Sequence, residues 1–182
     1  MSFRWFDTIS DLQSGRERIR QRRYGVIVCR QGKFEAVQFR PWPKIISVAE
    51  VRFWGSRRQE RSAADECLLY YNQPLQHSNY LTLAYIHTSW ATPYRTFAAA
   101  LQVLDQVAEF KRSDAILCDV TNPRISDRLL RRQGWVRHLE QSSRRHWIKR
   151  FYGEYRGKVG MRNAECGMNR VPHSERVGAS RR

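Results

Sequence analysis

Beyond its first two dozen residues the chain switches between a two-residue and a 3.6-residue hydrophobic period, and the switches mark out its elements. Residues 24–29 and 34–39 are short runs rich in β-branched and aromatic side chains around Arg30, Gln31, Gly32 and Lys33. This is a hairpin pattern, with Gly32 supplying the positive φ of the turn. Pro41 and Pro43 stop the second run, since neither can donate to a ladder. Residues 48–54 and 67–71 predict a further strand pair joined by the polar segment 55–66, so everything before Tyr80 reads as mainly antiparallel β.

Residues 80–86 carry apolar groups on both faces, which predicts a central strand. Thr92 and Pro93 then give two helix-start signals, an N-cap hydroxyl and a proline at the first helical position. Phe97, Leu101, Leu104 and Ala108 form the buried stripe of that helix, with Gln102, Asp105, Gln106 and Glu109 elsewhere, and it should end near Lys111 and Arg112. A helical crossover of this length places the next apolar run, 115–120, parallel to residues 80–86. Ile125, Leu129 and Leu130 make one face of a short helix capped by the Ser126 hydroxyl and closed by a left-handed Gly134. Residues 135–138 and 146–151 predict a terminal hairpin.

The two ends read differently. Residues 10–23 predict a strongly basic helix whose sizeable apolar positions are Ile9, Leu12 and Ile19, so its arginines are either a solvated face or a phosphate contact. After Tyr155 no hydrophobic period remains. Residues 1–155 are therefore expected to form a single domain and 156–182 a basic, disordered tail.

Charge adds one fact to this picture. With 33 Lys and Arg against 17 Asp and Glu, the net charge of +16 attracts polyanions. The arginines are spread along the whole chain, which fits nonspecific nucleic-acid contact or an acidic cofactor better than a dedicated groove. Cys29, Cys67, Cys118 and Cys166 are far apart with no C-x-x-C pairing, so neither a metal site nor a disulfide framework is indicated, and a reducing cytoplasm is expected. No apolar leader and no apolar run of about 20 residues point to secretion or to a membrane partner. Walker, H-E-x-x-H, G-x-S-x-G and Ser-x-x-Lys patterns are absent.

The segment from Asn122 through Pro123 and a basic helix to Gly134 and Trp135 resembles the strand-to-helix segment of the GCN5-related N-acetyltransferase (GNAT) superfamily. Order and spacing over about residues 67–151 carry the resemblance more than identities do. It implies an α/β (α+β) fold, a mixed, mostly antiparallel sheet with a central parallel strand pair and flanking helices. It implies an acyl-CoA-dependent N-acyltransferase, with acetyl-CoA or another acyl-CoA as cofactor and an amine as acceptor. The cofactor positions it assigns are Ile86 at a strand end, Thr92, Arg95 and Thr96 around the helix start, and Asn122. Asn122 either contacts the acyl-CoA or makes an Asx turn before Pro123.

Two departures from the family pattern matter. The family's diphosphate-holding turn is Gly-rich, whereas residues 93–98 contain no glycine and Pro93 lacks an N–H. What remains is a helix N-terminus with Arg95, which either holds an anion or points to water. The family's general-acid Tyr, four residues before the helix's Gly, is here Leu130. Tyr94, Tyr85 and Cys118 either substitute for it or are core. Asp119 and His87, at the carboxyl ends of the two parallel strands, are the candidate catalytic bases, unless nearby backbone satisfies them.

A different class of function fits the same scaffold, a non-catalytic nucleic-acid or ribosome-binding protein. Its surface would comprise the arginines of residues 16–23 with Arg131, Arg132, Arg144 and Arg145, and Trp135 and Trp147 would either stack on bases or fill the core.

Overall fold

The computed structural model describes residues 7–44, 65–89, 91–120, 125–139, 141–142 and 144–155. In chain order these form β1 (Thr8–Ile9), α1 (Arg16–Gln21), β2 (Tyr24–Arg30), β3 (Lys33–Phe39), β4 (Glu66–Asn72) and β5 (Tyr80–Thr88). Then follow α2 (Tyr94–Lys111), β6 (Ala115–Asp119), α3 (Asp127–Arg132), β7 (Val136–Arg137) and β8 (His146–Arg150). Among the described residues the strands build one eight-stranded sheet in the order β1-β3-β2-β4-β5-β6-β8-β7. Every pairing is antiparallel except β5 with β6, so the chain has the expected mixed, mostly antiparallel sheet with a central parallel pair and flanking helices.

Local signals placed most elements correctly. Gln31 and Gly32 both take positive φ in the β2–β3 turn. The buried face of α2 includes the predicted Phe97, Leu101, Leu104 and Ala108, and widens to Ala100, Val103, Val107 and Phe110 because the helix lies across several strands. Ser126 caps α3 by accepting the Leu129 N–H at 3.2 Å. At the other end of α3, Gly134 (φ 82°) donates to Arg131 and Trp135 to Leu130, the paired bonds of a Schellman cap. Gly25 serves a different need: a Cβ there would lie 2.6 Å from the Tyr71 hydroxyl on the neighbouring strand.

Three expectations need correction. The basic helix is α1 alone, shorter than residues 10–23, because the Ser14 N–H bonds the Asp11 carboxylate at 2.7 Å and commits the preceding residues to a turn. Its arginines are partnered, Arg18 with Asp7, Arg20 with Glu17 and Arg16 over the Phe110 ring. The Thr92 hydroxyl does not cap α2: Pro93 is the N-cap, without a side-chain bond, and Thr92 instead donates to the Glu66 carbonyl at 2.8 Å. β8 pairs with β7 as predicted but is also inserted against β6, which no local pattern announces. The strand expected at 48–54 and the tail at 156–182 lie outside the described residues.

The core lies between the sheet and α2. Ile27, Val37, Leu69, Tyr71, Leu81, Ile116 and Trp147 from the strands meet Leu104 and Val107 of the helix, all fully buried. Burial on this scale is the main stabilising term, about 1.5–3 kcal/mol for each large apolar side chain.

Candidate functional site

β5 and β6 pair over only four rungs, from Tyr80 with Ala115 to Leu83 with Cys118. Past that point β5 continues to Thr88 paired with β4 alone, and Asp119 of β6 pairs with His146 of β8. The central parallel pair therefore parts at its carboxyl end. The physical cause is visible in the β4–β5 ladder, where Tyr70 opposes Tyr85 but Tyr71 opposes Leu83, leaving Ala84 as a bulge. A bulge bends and twists its strand, which here turns β5 away from β6. From Ala84 to Thr88 the β6-facing edge of β5 has no ladder partner among the described residues.

The bulge also decides which face each side chain takes. Ile86 opposes the buried Leu69 and packs against the core on the α2 face. His87 opposes Leu68 and so shares the opposite face with Tyr85. Asp119 follows Cys118, which faces the core, and therefore also stands on the face away from α2. The two predicted bases thus share a face, but His87 lies four residues beyond the last rung and three past the position level with Asp119, about 10 Å at strand rise.

Asp119 has nearer partners. His146 Nδ1 lies 3.9 Å from one carboxylate oxygen and Arg144 lies 3.8 Å from the other. Local pattern marks His146 only as a strand residue; its place beside Asp119 depends on the β6–β8 register, which pairs the two directly.

The predicted anion positions separate. Thr96 is fully buried, and its hydroxyl accepts the Gly32 N–H at 2.8 Å, tying α2 to the β2–β3 turn. Thr92 is bonded to the Glu66 carbonyl and, at 2.9 Å, to the Ser89 hydroxyl. Arg95 remains at the helix start, 72% exposed, its stem against Gly32 and its guanidinium 3.7 Å from Asp65. Asn122 lies outside the described residues. The first N–H groups of α2 have no side-chain cap, so the helix start beside the opening retains donors for an anion.

The candidate acids divide in the same way. Burial pushes the Cys118 thiol up to about 12, so it is no proton donor or nucleophile at neutral pH. Tyr85 packs against Tyr70 with the rings tilted by 56° and their centroids 5.8 Å apart. Tyr94 is half-exposed and accepts a 2.6 Å hydrogen bond from Gln133, which links the start of α2 to the end of α3. Trp135 and Trp147 are core, and Trp147 is flanked by the Arg131 and Arg137 guanidinium groups.

No family model matches the chain. No curated protein matches it either. Among solved structures, the crystal structure of nourseothricin acetyltransferase aligns with 80% of this chain and 98% of that one, at 11% identity and a TM-score of 0.34. That likeness is too slight to transfer a residue or an activity. No helix among the described residues is long and apolar enough to cross a membrane.

Proposed function

We propose that the protein is an acyl-CoA-dependent N-acyltransferase. The observation that supports this reading is the parting of β5 and β6 after Leu83 and Cys118, beside the uncapped start of α2. An unpaired strand edge can bind an extended, amide-bearing chain by backbone hydrogen bonds, and the adjacent helix start favours its phosphates. These features fit the pantetheine and diphosphate of coenzyme A, with Ile86 beneath the chain and Arg95 at the phosphates. The bound thioester supplies the activated acyl group.

The chain's own residues then have limited tasks. The β5 edge holds the carbonyl and orients it, so that rate comes chiefly from proximity and from N–H groups at the developing oxyanion. Asp119 and His146 form the proton-accepting pair for the amine, the carboxylate orienting the imidazole as it takes the proton. His87 lines the acceptor's approach on the same face.

Calorimetric titration with acetyl-CoA in moderate salt tests this reading. One-to-one binding that survives added salt is the expected outcome, and Arg95→Ala should weaken it about tenfold, as for a lost charge-assisted hydrogen bond. Absence of saturable binding, or heat that vanishes with salt as it would for any anion on a +16 chain, overturns it.

A further inference from the structure

The face of the sheet away from α2 carries a concavity at the opposite end of β6 from Asp119, about 13 Å along the strand. Its volume is about 620 Å³, within the range of small-molecule sites. The hollow has a simple origin in the register: Tyr80, Ala115 and Arg150 stand in one row across β5, β6 and β8, and the small Ala115 leaves a gap between two large neighbours. The next row adds Leu117 beside Ile148, so the floor is apolar.

Its walls are aromatic and basic. Tyr80 packs edge-on against His77, their centroids 6.4 Å apart, and His138 completes that side of the polar rim. Arg150 lines the hollow, and its guanidinium has no carboxylate or hydrogen-bond partner among the described residues. Asp114 is the acidic member, with one oxygen accepting from Asn79 at 2.7 Å and the other left as an acceptor.

Tyr152 is the second, independent observation. It sits in the left-handed region at φ 48°, followed by Gly153 at φ 81°, in a turn closed by the Glu154 N–H on the Phe151 carbonyl. A bulky residue is strained there relative to glycine, because its Cβ crowds the following carbonyl oxygen. Among the described residues no ring or hydrogen-bond contact engages its side chain, which is 83% exposed at the rim of the hollow. An aromatic ring held out at a conformational cost beside an unpaired guanidinium is a stacking platform next to an anion site.

We propose that this hollow binds a nucleotide unit, with the base against Tyr152 and Tyr80, the 5′-phosphate on Arg150, and the free Asp114 oxygen accepting from an exocyclic amine of the base. Adjacent strands lie about 4.8 Å apart, so Tyr80 and Arg150 stand about 10 Å apart across Ala115, the reach from a base to its phosphate. The site is separate from the β5–β6 opening and does not rest on acyl transfer. Its ligand chemistry has two sources, a free nucleotide or a nucleotide within a single strand.

Calorimetry with AMP, adenosine, ribose 5-phosphate and a short single-stranded oligoadenylate tests it on the full chain. AMP should bind one-to-one, with adenosine and ribose 5-phosphate at least tenfold weaker, because each lacks one half of the recognition. Arg150→Ala should weaken AMP about tenfold. Tyr152→Gly should weaken it at least fivefold while the melting temperature holds or rises, since glycine relieves the backbone. Arg95→Ala should leave AMP binding unchanged. An oligonucleotide tighter per site than AMP assigns the unit to a single strand, and equal affinity assigns it to the free nucleotide. No saturable binding of either ligand overturns the inference. So does Tyr152→Gly binding as wild type, or AMP affinity lost in Arg95→Ala, which would move the ligand to the start of α2.

Discussion

The two faces of the sheet have different compositions and do different work. Toward α2 stand Ile27, Leu69, Leu81, Ile116 and Trp147, sealed under the helix in a dry core. Away from it stand Tyr70, Tyr80, His87, Asp119, His146 and Arg150, partly exposed and mostly ionisable or aromatic. The α2 face provides the larger core, and the other face, although Val26, Val28 and Ile148 are buried on it, leaves ionisable side chains accessible along β5, β6 and β8. The exception sharpens the contrast: Lys149, 7% exposed on the core side of β8, is tolerated there because Asp105 of α2 accepts from it at 2.6 Å.

Truncations on the two faces should therefore differ in cost. Leu104→Ala, in the core, is expected to lose about 3–4 kcal/mol in chemical denaturation, against about 1 kcal/mol for Leu117→Ala on the half-exposed face. Equal losses would mean that the second face is as tightly packed as the first.

Lys149→Met should cost about 3 kcal/mol by taking the ammonium away from the partly buried Asp105 carboxylate, and adding Asp105→Leu should recover most of it. A double variant as unstable as the single one would show that the pair fixes packing as well as charge. The smallest effect is a gain. Arg112 closes α2 in the left-handed region at φ 52°, with Ser113 N–H bonded to the Ala108 carbonyl, so Arg112→Gly should stabilise by about 1 kcal/mol in the same titration. A loss would indicate that the Arg112 side chain stabilises the helix end by more than its backbone strain costs.

Much of the fold was legible because its signals are local. Ser126 and Gly134 announce the two ends of α3 within one turn of the residues they cap. The stripe of Phe97, Leu101, Leu104 and Ala108 announces α2 and its buried face. Less of the candidate site was legible. Local pattern marks Asp119 and His87 as strand-end residues, but it also offers Thr96 as an anion ligand, whereas the Thr96 hydroxyl is committed to the Gly32 N–H, a partner 64 positions away in the chain. Thr92 before Pro93 has the local signature of a cap, but the Glu66 carbonyl, distant in sequence, takes its hydroxyl.

By itself, then, the sequence determined the described strands from β2 onward and the helices α2 and α3, where α3 is capped, and that β5 and β6 run parallel, since the 3.6 and 2.0 periods and the crossover length act over short stretches of chain; β1 and the turn that shortens α1 escaped it. Tertiary structure alone decided that β8 lies against β6, that Ala84 bulges and parts β5 from β6, that His146 meets Asp119, and that Ala115 opens a hollow between Tyr80 and Arg150. Each of these depends on strand register, and register is set by which side chains the whole core can bury together, a condition no single segment contains.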